Sequence, residues 1–418
     1  MLPLLLSAVP LFAAAALYIA GSMLLGTSLA LRLTVEGSSS SLIGLILVQY
    51  SFGFVVGSRV GSVLITRVGH IRVYAAFAAI ACCAALIHAA FENPWLWGGL
   101  RALSGFSAAA MMVALESWIN AFATARTRGA LFGVYMVNYY LAGAAGQWLV
   151  AAFAPQDFRC YSLAAGLLVL SSVPLALTRR AAPAPLSTDR MKITELLRIA
   201  PVSVWGSATA GYAIGSFYAL APTVATRLGY PLGTVARYMA AAVLASMFLQ
   251  WPLGRLADRL DRRRVIFGLA AGAGLLALLL AFVADLDVRL LFAVTMAYTG
   301  LVACLYPASL ALAHDLSHNR NIVGANAGLL LCYGIGTCVG PPLTSLLIGL
   351  RGPTGLHLAL ALMLALYALW LRRSLRVRDE PLHMPQQPFV PVAPEATTVD
   401  AQLDPRRPPA LDETAREP

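Results

Sequence analysis

Three ionisable side chains stand inside apolar stretches of this chain: Arg59, Arg101 and Glu116. A charge in an apolar surrounding is costly, so each needs a partner or a task. Burial favours the neutral form of a carboxyl, and a nearby cation favours its charged form. A carboxyl poised between the two can load and release a proton, which makes Glu116 the candidate proton-coupling group. The alternative is a structural ion pair with Arg59 at comparable depth. Arg101 and Glu116 share one apolar run but lie about 22 Å apart along a helix, too far to pair with each other. The other acids outside the turns and tail read as loop residues: Glu36, Glu92, Asp285 and Asp287 on one side, Asp315 on the other.

Enzyme chemistry has no comparable candidates. There is no Gly-x-Ser-x-Gly elbow, no P-loop and no His-Glu-x-x-His, and the six histidines are scattered. The six cysteines show no metal-ligand spacing and read as small packing residues. No catalytic residue, cofactor or metal is expected, and without a P-loop any driving force must come from an ion or solute gradient. The neutral polar and aromatic residues inside the apolar runs are Ser22, Thr27, Asn138, Tyr139, Gln147, Tyr212, Tyr218, Tyr298, Tyr306 and Tyr333. In hydrocarbon such groups turn to the interior of a helix bundle, either to bond another helix or to line a path for a solute. A path of this composition suits small amphipathic or weakly charged organic compounds.

The elements that would position these residues are membrane helices. Hydrophobic residues make up 59% of the chain, charged ones only 12%, and the mean hydropathy is +0.74. The net charge of +11 comes from arginines in short clusters between apolar runs, not from a basic face that could hold nucleic acid. Apolar runs of about twenty residues number twelve. The first six cover roughly 7–33, 41–65, 73–91, 97–121, 129–153 and 159–177, and the second six 201–222, 235–256, 264–284, 289–312, 322–350 and 354–372. The expected architecture is an all-α membrane protein of two six-helix bundles, 1–178 and 201–378, joined by a cytoplasmic linker, 179–200, and followed by a disordered cytoplasmic tail, 379–418.

Lysine and arginine counts orient the chain. With both termini in the cytoplasm, nineteen fall on the inner side and seven on the outer, leaving out Arg59 and the tail. The start of the chain lacks the basic region of a signal peptide, and Ile19-Ala20-Gly21-Ser22 has a twin in Ala213-Ile214-Gly215-Ser216, 194 residues on. Gly129-Ala-Leu-Phe-Gly133 and Gly324-Ala-Asn-Ala-Gly328 repeat at an offset of 195, as do Gly105 and Gly300.

Two charged turns complete the pattern. One is Gly254-Arg-Leu-Ala-Asp258-Arg259-Leu-Asp261-Arg262-Arg-Arg264, and a fainter copy, Arg67-Val-Gly69-His-Ile-Arg72, lies about 190 residues upstream. These turns, with Arg101-x-x-x-Gly105 and Glu116-Ser-Trp, resemble the major facilitator superfamily, in particular its YcaD-like branch. Asp261 stands where that family usually has glycine. The resemblance covers nearly the whole hydrophobic region and implies a monomeric secondary transporter in the cytoplasmic membrane, working by alternating access on a small solute and lipid-embedded. It also implies that Asp258 faces the start of the fifth span near Gly129 and helps to shut the inner side, with Thr66 at the aligned upstream place making that lock one-sided. Proton coupling and export are the expected mode. An uncoupled facilitator and a non-transporting sensor of the same fold are the alternatives.

Overall fold

A computed structural model describes residues 2–122, 127–178, 193–284, 286–316, 322–377, 389–392 and 397. In chain order the helices are α1 (Leu2–Val35), α2 (Ser40–Val68), α3 (His70–Ala90), α4 (Pro94–Phe122), α5 (Arg128–Leu149), α6 (Phe158–Leu170) and α7 (Ser172–Ala176). After residue 178 come α8 (Ile193–Ile199), α9 (Pro201–Arg227), α10 (Leu232–Arg259), α11 (Arg262–Val283), α12 (Val288–Leu316), α13 (Ile322–Arg351) and α14 (Thr354–Val377). A long helix, or for the sixth run the α6–α7 pair, covers each predicted apolar run. Ten segments are long and apolar enough to cross a membrane among the described residues, with α6 and α7 together forming one of them.

Two long helices, α5 and α9, stand outside that group, and the surroundings of α9 account for its case. Nineteen residues of α9 are buried, including Ser203, Ser207, Thr209, Ser216 and Thr223. It is wrapped by α1, α12, α13 and α14, so its faces meet protein and need not be as apolar as a lipid-facing helix. Pro201 occupies the first turn of α9, where its missing N–H costs nothing, and so separates α9 from the linker helix α8. The rest of the predicted linker, 179–192, lies outside the described residues, as does the predicted tail apart from Phe389–Val392 and Thr397.

Helix packing repeats itself along the chain. In the N-terminal set α2 packs on α4, α3 on α4, α1 on α5 and α3 on α6. In the C-terminal set α10 packs on α12, α11 on α12, α9 on α13 and α11 on α14. Between the sets, α2 meets α13 and α5 meets α10, while α1 meets α9. Small residues set the closest approaches. A methyl group at Gly53 would stand 1.9 Å from the Ala102 carbonyl oxygen, and one at Gly105 2.0 Å from that of Tyr50. Only hydrogen fits at these two places, so α2 and α4 touch backbone to backbone.

The two charged turns reverse the chain by different means. Gly69, between α2 and α3, has φ +89°, a conformation open to glycine. Asp261, between α10 and α11, has φ −55°, and its carboxylate accepts the Arg263 N–H at 2.8 Å as an N-cap. The second turn needs no positive φ, which accounts for an acid where the family pattern has glycine.

Candidate functional site

A cavity of about 380 Å³ lies between the two helix sets. Its walls come from α1, α2, α4 and α5 on one side and from α9, α10 and α13 on the other, and Ile193 of α8 reaches one end. That end is the linker side. At the far side the sets are tied together: Thr34 Oγ1 donates to Thr223 Oγ1 at 2.9 Å, and Arg227 donates to Ser40 Oγ at 2.5 Å and to the Ser38 carbonyl at 3.1 Å.

The chemistry of the walls follows from helical spacing. Ser51, Ser58, Arg59 and Ser62 recur on one face of α2 and give the cavity a polar stripe. Arg101 enters from α4, buried, with its guanidinium carbon 4.5 Å from the Tyr50 ring centre. That stacking holds the cation by its attraction to the ring face. The Tyr50 hydroxyl in turn lies 3.3 Å from Ser22 Oγ and 3.4 Å from the Tyr18 hydroxyl. Thr27 donates to Gln147 Oε1 at 2.8 Å, and Gln250 donates to the Tyr140 hydroxyl at 2.6 Å, joining α5 to α10 beside the cavity. Among the described residues, Arg59 and Arg101 are the charged ones of the lining, and no carboxylate joins them.

Of the polar and aromatic residues singled out in the sequence, Ser22, Thr27, Tyr139, Gln147, Tyr218 and Tyr333 line this space. The other four stand outside it. Asn138 donates to the Phe12 carbonyl at 3.1 Å, Tyr212 accepts from Thr344 at 3.0 Å, Tyr298 packs on Phe217, and Tyr306 lies behind Tyr333 with ring centres 4.9 Å apart. Tyr50 and Tyr140 were not anticipated. Their signal was position: Tyr50 shares the α2 face of Phe54 and Ser58, and Tyr140 adjoins Tyr139.

Glu116 is fully buried on α4 where the Tyr135 side chain of α5 reaches it, and it accepts hydrogen bonds from Tyr135 at 3.5 Å and from Thr397 of the tail. Arg59 instead belongs to the cavity wall. At the linker-side turns Arg67, Arg72 and Arg259 are exposed, whereas Arg262 is fully buried. Arg262 donates to Asp315 at 2.5 Å and to Asp258 at 3.3 Å, which fastens the ends of α10 and α12 to the start of α11. Asp315, read from the sequence as a loop acid, is therefore a buried partner. Asp258 also accepts the Phe389 N–H at 2.7 Å. Gly254 lies under the Phe389 ring, since a methyl there would stand 2.3 Å from Cδ1.

Comparison with known proteins places this geometry. The chain is 29% identical over 354 residues to the uncharacterized MFS-type transporter YcaD of Escherichia coli O6:K15:H31 (strain 536 / UPEC), covering 84% of this chain and 91% of that protein. Its fold is similar to the crystal structure of the nucleoside transporter NupG, with a TM-score of 0.76 at 12% identity over 89% of this chain and 100% of the other. It is also similar to a bacterial homologue of the human lysosomal transporter Spinster in an inward-facing, occupied conformation, with a TM-score of 0.73 at 13% identity over 89% and 96% of the two chains. The family model of the Major Facilitator Superfamily matches residues 11–301 and 206–411, so both helix sets are covered and the chain belongs to that superfamily of multi-pass membrane proteins.

Proposed function

We propose that the protein is a secondary active transporter that carries a small organic anion through the cavity between its helix sets by alternating access. The observation that carries this reading is the cavity lining, which among the described residues has Arg59 and Arg101 but no carboxylate, amid Tyr139, Tyr140, Tyr218 and Tyr333. A negative group would sit by the arginines and an aromatic or apolar body on the tyrosines. The sequence-based choice of weakly charged compounds is thereby narrowed in sign.

The reading includes twelve spans in two six-helix halves, 1–178 and 201–378. Its support is the packing repeat, in which α2 on α13 and α10 on α5 exchange places under the offset of about 195 residues. It places the chain in the cytoplasmic membrane with both termini and the linker inside, acting as a monomer and exporting its cargo against protons taken up at Glu116. The cavity then opens toward the cytoplasm, since the far-side contacts through Thr34, Ser40, Thr223 and Arg227 close the other end.

Two probes of matched shape and opposite charge test the cargo. Proteoliposomes should take up radiolabelled phenylacetate and not phenethylamine, and a pH gradient should drive accumulation. Arg101→Gln should lower phenylacetate uptake about tenfold or more, as loss of a charged hydrogen bond costs about 1.5–3 kcal/mol. Preference for the amine, or indifference to both Arg101→Gln and Arg59→Gln, would overturn the anionic assignment. Equilibration without accumulation would mark an uncoupled facilitator, and a sensor would move neither probe.

A further inference from the structure

The chain returns to its own crevice. Beyond α14, Phe389 and its neighbours meet α10 while Thr397 meets α4, so one short segment touches both helix sets on the linker side. Val390 and Val392 are buried in the main core, at 5% and 7% exposure, and Phe389 packs against it. The contacts are specific in kind: the Phe389 ring fills the slot left by Gly254, its N–H is taken by Asp258, and the Thr397 hydroxyl donates to Glu116.

We propose that the tail stretch carrying Phe389, Val390, Val392 and Thr397 is a plug for the linker-side entrance, held in the crevice through these residues. Prolines recur every third residue at Pro385, Pro388, Pro391 and Pro394. That spacing matches the three-residue turn of a polyproline II helix, which needs no internal hydrogen bonds. A free peptide stiffened by such a repeat loses little entropy on docking, and grooves that read proline-rich peptides do so through aromatic and apolar slots. Proline also lacks an N–H, and the amide offered to Asp258 comes from Phe389, directly after Pro388. The tether is long enough: eleven residues lie between Val377 and Phe389, and the stretch spans about 40 Å when extended.

The plug joins α4 of one set to α10 of the other at their linker-side ends. A rearrangement that closes those ends together would have to expel it, and a solute leaving the cavity by that side would have to pass it. Its effect as a brake on transport rests on the alternating-access reading, but the docking itself does not. The contact with Glu116 also puts the plug on the group assigned to the proton.

The docking is measured without any cargo. A fluorescein-labelled peptide with the sequence of residues 386–399 is titrated by anisotropy against the full chain and against the chain ended after Arg378. A tethered segment competes at about millimolar effective concentration, so the full chain should bind the micromolar peptide at least tenfold more weakly than the shortened chain. The full chain carrying Phe389→Ala and Thr397→Ala should regain binding, which guards against a misfolded truncation, and the peptide with both changes should lose tenfold or more. In parallel, Ser58→Cys in the cavity wall should react severalfold faster with a membrane-impermeant maleimide in the shortened chain, read by mass spectrometry at that site. Equal peptide binding to full and shortened chains, no binding to either, or equal labelling of Ser58→Cys overturns the plug.

Discussion

Glu116 receives hydroxyls from two directions, Tyr135 of α5 and Thr397 of the tail, and lies apart from the cavity that holds Arg59. A role as coupling group therefore turns on titration and not on contact with cargo. Glu116→Gln keeps the shape and one acceptor oxygen for one of the two hydroxyls, turns the other position into an amide donor, and removes the proton site. Gradient-driven accumulation of phenylacetate should disappear and exchange at equal concentrations should survive. Persistent accumulation with its pH dependence unchanged would take the proton away from Glu116. The sequence placed this residue inside an apolar run, because an acid amid Ala, Leu and Met stands out along the chain. It concealed Asp315, whose partner Arg262 is 53 positions away and whose neighbours read as a loop. Arg32 was hidden in the same way: counted as an outer-loop cation, it is buried at the end of α1, bonded to Glu36 at 2.6 Å and stacked 4.7 Å from the Trp97 ring centre. Pairing through space leaves no trace in local composition.

Helices α2 and α4 show why element positions were legible and their contacts were not. Each apolar run long enough to span a bilayer specifies its own helix, since every backbone group must be bonded within it. The ends drifted by a few residues; α10 covers Leu232–Arg259 where 235–256 was expected, because Arg255 and Arg259 continue the helix past the apolar run, Arg255 over the Trp251 ring. Which helices touch is set by small residues whose meaning depends on the partner. Gly53→Ala should lower the unfolding temperature in detergent more than Asp261→Ala does. The first drives a methyl into the Ala102 carbonyl, and overpacking costs about 1–3 kcal/mol. The second removes one N-cap, worth about 1 kcal/mol. An alanine at position 53 that left the transition untouched would mean that α2 and α4 do not cross so closely. The tail was the opposite case. Its composition reads as a stretch that cannot build a core alone, yet a groove formed by other helices supplies the apolar surface for Phe389, Val390 and Val392.

At the scale of the whole molecule, the clustering of arginine and lysine makes a definite statement about sidedness. Reporter fusions after Arg190 and after Arg378 should both signal from the cytoplasm, and an external signal at either would break the twelve-span arrangement. With that orientation, the contacts of Thr34 with Thr223 and of Arg227 with Ser38 and Ser40 form the seal toward the outside. Among the described residues, one neutral hydrogen bond at ~1 kcal/mol and two from the Arg227 cation at ~1.5–3 kcal/mol each contribute to it, about 4–7 kcal/mol in all. If nothing else opposed opening, between roughly one molecule in a thousand and one in a hundred thousand would have that seal undone at any instant. A gradient then has no barrier of bonds to force; it has only to bias a minority conformation that thermal motion already visits.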